Sequence, residues 1–244
     1  MKLFTDSANV GGKYITIADR GDIRHMLRVL RLGEGDVVEV SDSVRWEYTA
    51  RIISAEEERV LLQIMDKQAF AREPELEVTL FQGIPKAGKM EGIIQKCVEL
   101  GVSAVVPVFM ERTVVVDKGN FRKKLDRWQK ISDEAVKQCK RGRVPLIEDP
   151  ISSSEAVQKT DDFDLVLLPY ENERNYTIKD HLRSLSEKPK SVAVIIGPEG
   201  GFSDREAAEF TDRGAVSVTL GKTVLRTETA GMAALAMIMY ELEL

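Results

Sequence analysis

The sequence predicts an α/β fold: a mostly parallel sheet with helices on both faces, preceded by a small β-barrel. Three observations carry this. From Leu76 onward, strand-length apolar runs alternate with helical patterns, the signature of a parallel sheet covered on both sides. Near the C-terminus, the run Val192–Ile196 breaks into Gly197-Pro198-Glu199-Gly200-Gly201, and a second strand ends the same way at Leu220 and Gly221. Two successive strand ends thus carry glycine-bearing loops to one edge of the sheet, where open α/β folds bind ligands. Finally, the first 70 residues hold only short alternating runs separated by turn signals, which suggests a small barrel.

In order, Tyr14–Ile17, Asp36–Val40, Trp46–Ile52 and Val60–Ile64 read as strands, divided at Gly33-Glu-Gly35-Asp36 and Glu56–Arg59. Arg24–Arg31 reads as a helix with Met26, Leu27 and Leu30 on one side and Arg24, Arg28 and Arg31 on the other. It is either a solvated cover for a barrel mouth or, with His25, a phosphate-gripping edge. Charge, proline and lost periodicity coincide at Phe70-Ala-Arg-Glu-Pro74-Glu, which divides the chain into 1–70 and 71–244. The second part opens with strand Leu76–Gln82 and a helix over Lys86–Leu100 stopped by Gly101. Strand Ala104–Val108 follows, its Pro107 suggesting an edge or an end. A long helix from Asn120 to Lys140 turns Phe121, Leu125, Trp128, Ile131, Ala135 and Cys139 inward. Leu165–Leu168, Val192–Ile196 and Val216–Leu220 are further strands. Ser203-Asp-Arg-Glu206 reads as a capping box, and the last helix runs from Thr227 to Leu242.

The order Gly197-Pro-Glu-Gly-Gly-Phe-Ser203, Leu220-Gly221, Leu225-Arg-Thr-Glu-Thr-Ala230 resembles that of the knotted SPOUT-class methyltransferases. More narrowly it is similar to the ribosomal RNA small subunit methyltransferase E family, whose Lys-x-x-Lys-Met-Glu and Arg-Trp-x-x-Ile segments are matched by Lys86–Glu91 and Arg127–Ile131. The extreme N-terminus, Met1-Lys-Leu-Phe-Thr, departs from the Arg-Phe/Tyr-Phe start common in that family. The resemblance implies a PUA/OB-like RNA-binding barrel, a backbone knot that general topology disfavours, a working homodimer, and S-adenosyl-L-methionine as cofactor. It implies methylation of N3 of a uridine in 16S rRNA, with 16S rRNA or the small ribosomal subunit as partner. The cofactor is implied to lie among Leu168 and Pro169; Ile196, Gly197, Glu199, Gly200 and Gly201; and Leu220, Gly221, Leu225, Arg226 and Thr229.

Composition agrees with a globular protein: 43% hydrophobic, 31% charged, net charge −5. No run approaches the ~20 apolar residues of a membrane span, and the N-terminus lacks a signal-peptide apolar region. Two cysteines without a CxxC, and only two His, argue against a structural metal and for a reducing cytoplasm. The charge is uneven. Ten Lys or Arg fall between Lys118 and Arg143 against three acids, which is either a solvated face or a phosphate-binding surface. Arg24, His25, Arg28, Arg31, Lys86, Lys89, Lys96, Arg127, Lys130 and Arg141 are the candidate RNA contacts.

The glycine loop is neither a Walker A, because no Gly-Lys-Ser/Thr follows, nor a dinucleotide fingerprint, because GxGxxG is absent. With few cations it suits a flat base held by backbone groups. Methyl transfer from a sulfonium needs alignment and charge management. For a uridine imide, the proton must also leave. Arg226 is the candidate for stabilising the imide anion. Glu228 and Glu199 are candidate bases that could equally be cap or loop braces. A non-catalytic RNA-binding assembly factor or a nucleotide-binding metabolic enzyme would share parts of this pattern. The small or apolar surface of Thr229–Met239 predicts burial on more than one side, within a subunit or in a homodimer.

Overall fold

The computed structural model describes residues 2–70, 73–117, 119 and 121–244. Met1, Ala71 and Arg72 of the expected N-terminal motif and boundary, Lys118 of the basic run and Asn120 at the expected helix start lie outside the described residues. Two compact units are present: Met1–Glu73 with Val136–Val144, and Pro74–Ala135 with Pro145–Leu244.

The first unit is a six-stranded sheet ordered β1-β4-β5-β6-β3-β2. Its strands are β1 Lys2–Phe4, β2 Val10–Gly11, β3 Tyr14–Ile17, β4 Val37–Ser41, β5 Trp46–Ala55 and β6 Val60–Ala69. All pairs are antiparallel except β1 with β4. The sheet wraps an apolar core that includes Leu3, Ile15, Met26, Val40, Ile52 and Leu62. β1 and β2 are too short for sequence periodicity to show. The expected helix over Arg24–Arg31 is corrected. Helix α1 is Arg20–Arg24, capped by the Asp19 side chain, and a π-helical turn, His25–Val29, continues it. Inserting that turn changes the helical phase. Met26 stays buried while Val29 and Leu30 are 63% and 42% exposed, and Arg31 leaves the helix with φ +56°.

The second unit is a seven-stranded parallel sheet ordered β10-β8-β7-β12-β11-β13, with β9 also paired to β8. Its strands are β7 Glu77–Gly83, β8 Ala104–Phe109, β9 Leu146–Ile147, β10 Ile151–Ser152, β11 Leu165–Pro169, β12 Ser191–Ile196 and β13 Val216–Val218. The helices are α2 Lys89–Glu99, α3 Phe121–Cys139 (up to Ala135 in this unit), α4 Ser153–Lys159, α5 Ile178–Ser184, α6 Asp204–Asp212 and α7 Thr227–Leu242. β8 is not the edge strand that Pro107 suggested. Short strands β9 and β10 pair with its outer side at Ala104–Val105 and Val108–Phe109, and the proline sits in the gap between them. Helix α2 starts three residues later than the spacing predicts, because Ala87 and Gly88 take φ +45° and +70°.

β12 shows how both faces are covered. Ala193 and Ile195 join a core with Phe81, Val106, Leu168, Ala207 and Phe210, under α4 and α6. The alternate residues Val192, Val194 and Ile196 are equally buried on the opposite face, where α7 packs on β12 and β7 and meets α2 and α5. Gly231 lets α7 approach closely, since a Cβ there would come within 3.3 Å of Gln82 Oε1. One stripe of α7 is uncovered among the described residues: Thr229, Ala236, Met237 and Tyr240 are exposed, Tyr240 by 70%.

Candidate active site

The C-terminal ends of β11, β12 and β13 open into a cavity of about 740 Å³ lined by three loops, Pro169–Arg174, Ile196–Phe202 and Thr219–Glu228, together with Lys89 of α2 and Ala230 of α7. Its size falls within the few hundred to ~1,000 Å³ usual for small-molecule sites. The lining holds four carboxylates, Glu171, Glu173, Glu199 and Glu228, and four cations, Lys89, Arg174, Lys222 and Arg226.

The Ile196–Phe202 loop is fixed from several sides. Thr227 Oγ1, in the first turn of α7, donates to the Gly197 carbonyl at 2.6 Å. Gln82 Nε2 in turn donates to Thr227 Oγ1 at 2.9 Å. Arg112 donates to the Gly200 carbonyl at 2.9 Å, and the Lys86 N–H donates to the Glu199 carboxylate at 3.1 Å. Behind the loop the expected capping box forms: Ser203 accepts from the Glu206 N–H, and Glu206 accepts from the Ser203 N–H. Glu206 is fully buried and also accepts from the Glu111 N–H at 2.9 Å.

Glycine is required at two close approaches. A Cβ on Gly83, at the end of β7, would lie 2.6 Å from the Pro198 nitrogen and 2.9 Å from the Gly197 carbonyl carbon. Gly201 has φ +66°, and a Cβ there would lie 2.6 Å from a Glu171 carboxylate oxygen. Neither Gly83 nor Glu171 stood out in the sequence. The contact of Gly83 joins residues 115 positions apart from a strand whose own pattern is ordinary.

Lys89 is the electrostatic centre of the wall. Its Nζ lies 3.0 Å from Glu199 Oε1 and 3.2 Å from Glu228 Oε2. The hydrogen bonds that it donates to Glu199 and then Glu228 push the Lys89 ammonium above its ordinary value. Burial acts to raise the Glu199 carboxyl, but Lys89 and the backbone N–H groups of Glu199 and Lys86 outweigh it, leaving the group below the usual carboxylate range. Glu228 is lowered first by its own backbone N–H at the start of α7, then by Lys89 and Arg226. A general base working near neutrality needs the opposite shift. Glu199 and Glu228, the expected candidate bases, both pair with Lys89 in this structure and lie on the other side of their ordinary values. Lys89 itself, expected at an RNA surface, belongs to this pocket.

Of the expected cofactor residues, Pro169, Ile196, Gly197, Glu199, Gly201, Leu220, Gly221, Leu225 and Arg226 line the cavity. Leu168, Gly200 and Thr229 do not. Leu168 is fully buried in the core, Gly200 turns its carbonyl to Arg112, and Thr229 lies on the exposed stripe of α7. Among the expected RNA contacts, Arg24, His25, Arg28, Arg31, Lys86, Lys96, Arg127 and Lys130 are exposed. Three of them are paired with acids: Arg28 with Glu57, Lys96 with Glu99 and Arg127 with Glu91. Arg141 is corrected. It is 5% exposed and ion-paired with Glu73, whose other oxygen accepts the Gly142 and Arg143 N–H groups, so it braces the first unit.

A family model described as an RNA methyltransferase domain matches residues 72–239, and one described as an RNA methyltransferase PUA domain matches 17–65. Ribosomal RNA small subunit methyltransferase E of Bacillus subtilis is 34% identical over 227 residues, covering 91% of this chain and 89% of the relative. The chain belongs to the ribosomal RNA small subunit methyltransferase E family. The Buchnera aphidicola (Acyrthosiphon pisum) member is 31% identical over 86% of this chain and 82% of its own. A crystal structure of the Neisseria gonorrhoeae member bound to S-adenosyl methionine superposes with a TM-score of 0.85 at 30% identity, covering 98% of this chain and 96% of that one. The chain is accordingly a methyltransferase, with the α/β fold and preceding PUA-like β unit expected of this family.

Proposed function

We propose that the chain transfers a methyl group from S-adenosyl-L-methionine to N3 of a uridine in 16S rRNA, with the cavity at the ends of β11, β12 and β13 as the cofactor site. The observation that carries this is the lining of that cavity. Backbone groups of a braced glycine loop offer hydrogen bonds to a flat base, and an acidic wall at Glu171 and Glu173 suits a cationic ligand. Glu171 is held against Gly201 only because that residue has no Cβ. Ile196, Gly197, Gly201, Leu220 and Leu225 would hold the cofactor's base and ribose. When bound, the cofactor supplies an electrophilic methyl on a leaving group that needs no further activation.

The residues of the chain then have an alignment and a charge task. The N3 proton of the uridine passes to solvent, N3 bonds to the methyl carbon, and the sulfur–carbon bond breaks. Arg226, exposed at the cavity wall, stabilises the imide anion that precedes the transfer. Lys89, paired with Glu199 and Glu228, braces the cavity wall and leaves Arg226 to act on the anion. The 1–70 region with the PUA-like sheet serves RNA binding, and 71–244 serves catalysis. Exposed Arg24, His25, Arg28, Arg31, Lys86, Lys96, Arg127 and Lys130 contribute phosphate contacts. The working form is a homodimer formed through the bare α7 stripe of Ala236, Met237 and Tyr240, acting on 16S rRNA or the small subunit in the cytoplasm. Light scattering reads the dimer directly, and a monomer with full activity would contradict it. Nucleoside mass spectrometry of 16S rRNA from a deletion strain tests the reaction. Loss of 3-methyluridine, restored by the parent gene and not by Arg226→Ala, is expected; an unchanged nucleoside profile would overturn the assignment.

A further inference from the structure

In the first unit the hairpin joining β4 and β5 has a tightly held tip. Asp42, 4% exposed, accepts the N–H groups of Val44, Arg45 and Trp46 through Oδ1 at 2.9–3.0 Å. Ser43 takes φ +58°, and the Phe70 N–H donates to the Arg45 carbonyl. This places the half-buried Trp46 indole against the core of the sheet with part of its ring in solvent. Two exposed cations lie on it: Arg45 Cζ is 5.0 Å from the ring centroid and Lys67 Nζ is 4.1 Å away, with Lys67 also 5.7 Å from the Tyr48 ring. In this unit Arg28, Lys137 and Arg141 are each neutralised by a carboxylate, and of the cations without one among the described residues, such as Arg20, Arg31 and Arg51, Arg45 and Lys67 are those that lie on an aromatic ring. Glu47, the acid next to Trp46, is spent on Lys2. Among the described residues neither Arg45 nor Lys67 has a carboxylate at ion-pair distance.

We propose that Trp46, Arg45 and Lys67 form a binding platform for an unpaired nucleotide of RNA. Indole and guanidinium planes accept base faces, and these faces are free only where the strand is unpaired. An uncompensated ammonium beside them meets the following phosphate. A cation–π contact at an exposed site is weak enough for Lys67 to exchange the ring for that phosphate when a base takes its place. The uncompensated positive charge favours a polyanion over a neutral or basic protein surface. The platform rests on the RNA-directed reading above and adds to it a stacking site that none of the basic residues singled out in the sequence supplies.

The test uses the full chain and an oligouridine of about 12 nucleotides as the probe, titrated at roughly 50 mM salt, where phosphate contacts are strong. Polarisation of labelled RNA should show Trp46→Ala weakening binding about tenfold or more, with Trp46→Phe intermediate. Arg45→Ala with Lys67→Ala should lower affinity and flatten its dependence on salt. In a Trp128→Phe background Trp46 is the remaining indole, and its emission should be quenched by the oligouridine. Unchanged S-adenosylmethionine affinity in Trp46→Ala would show that the second unit is intact. Equal oligouridine affinity for parent and Trp46→Ala, in a parent that methylates rRNA, would overturn the platform alone. A parent that binds no RNA would overturn the RNA-directed reading with it. Polyglutamate competing as well as RNA would also overturn it and point to an acidic protein partner.

Discussion

The two glycine-bearing loops of the cavity look alike in sequence and are built in opposite ways. Ile196–Phe202 is tied to α7 by Thr227, to the segment before α2 by the Lys86 N–H, to α2 itself by Lys89, and to the loop after β8 by Arg112. Thr219–Arg226 is tied at its start, where Thr219 exchanges backbone hydrogen bonds with Tyr176 and Ile178, and then makes a local turn in which Thr219 Oγ1 donates to the Gly221 carbonyl at 2.9 Å. Beyond it Gly221–Val224 are exposed, Val224 by 78%. A Cβ on Gly197 would meet Gly201 at 3.2 Å, whereas one on Gly221 would meet nothing within 4 Å. A glycine in the first loop therefore answers to close packing, and a glycine in the second only to its φ of +148°. The first loop is a preorganised cradle, and the second is left free to adapt to a ligand.

The largest expected effect comes from breaking the cradle without touching its ligand face. Gly83→Ala drives a Cβ into the backbone at Gly197–Pro198. The overpacking should cost about 2 kcal/mol, on the order of 5 °C in Tm for a chain of this size. Cofactor affinity by calorimetry should fall more than tenfold, because the loop must shift as a whole. A Gly83→Ala variant with parental affinity would show that the loop is not rigidly held.

Thr227→Val removes the hydroxyl that donates to Gly197 and accepts from Gln82, and keeps the side chain's shape. The lost bonds with a buried partner should cost about 1–3 kcal/mol in urea unfolding. Cofactor affinity should drop less than in Gly83→Ala, since the backbone path of the loop is not obstructed.

Lys89→Met leaves Glu199 and Glu228 facing each other without their cation. The sign of the pH dependence follows from the shifts. Both carboxyls lie below their ordinary values in the folded parent. Their contribution is thus complete above the ordinary carboxyl value of 4.5 and is lost as pH falls through the folded values. Lys89 lies above its ordinary value of 10.5, so its part is present below that pH and lost as pH rises through the raised value. Stability of the parent in urea unfolding should be flat across neutrality and decline in acid; Lys89→Met should be less stable at neutral pH and lose less on acidification. An identical acid profile in the two proteins would place the titration elsewhere.

The smallest effect is expected at the open loop. Gly221→Ala meets no neighbour, so only the backbone preference is lost, about 1 kcal/mol, and cofactor affinity should change by no more than about fivefold on that scale. A loss as large as that of Gly83→Ala would erase the contrast between the loops.

These differences mark where the sequence stops being legible. Strands β7, β8, β11 and β12, the capping box at Ser203 and Glu206, and α7 over Thr227–Leu242 could be read because each is specified by local periodicity or by a three-residue spacing. The glycine loops were visible for the same reason. The long-range contacts were not. Lys89 reads as one more cation on a helix flank until β7, β12 and α7 bring Glu199 and Glu228 to it. Arg141 sits in a basic run, yet burial against Glu73 removes it from the surface. The π turn at His25–Val29 alters the phase of a pattern that otherwise fits a regular helix. Trp46 could be placed in a strand, but Lys67 reaches its ring only across the β5–β6 pairing, where Tyr48 stands opposite Lys67.

In the proposed function the braced loop after β12 holds S-adenosylmethionine for methyl transfer to RNA. Calorimetric titration of the parent chain and Gly83→Ala with S-adenosylmethionine tests it most directly. One site per chain in the parent, weakened more than tenfold by Gly83→Ala in a protein that still melts cooperatively, is the expected result. No binding to the folded parent, or equal binding by both proteins, would remove this loop from the cofactor site.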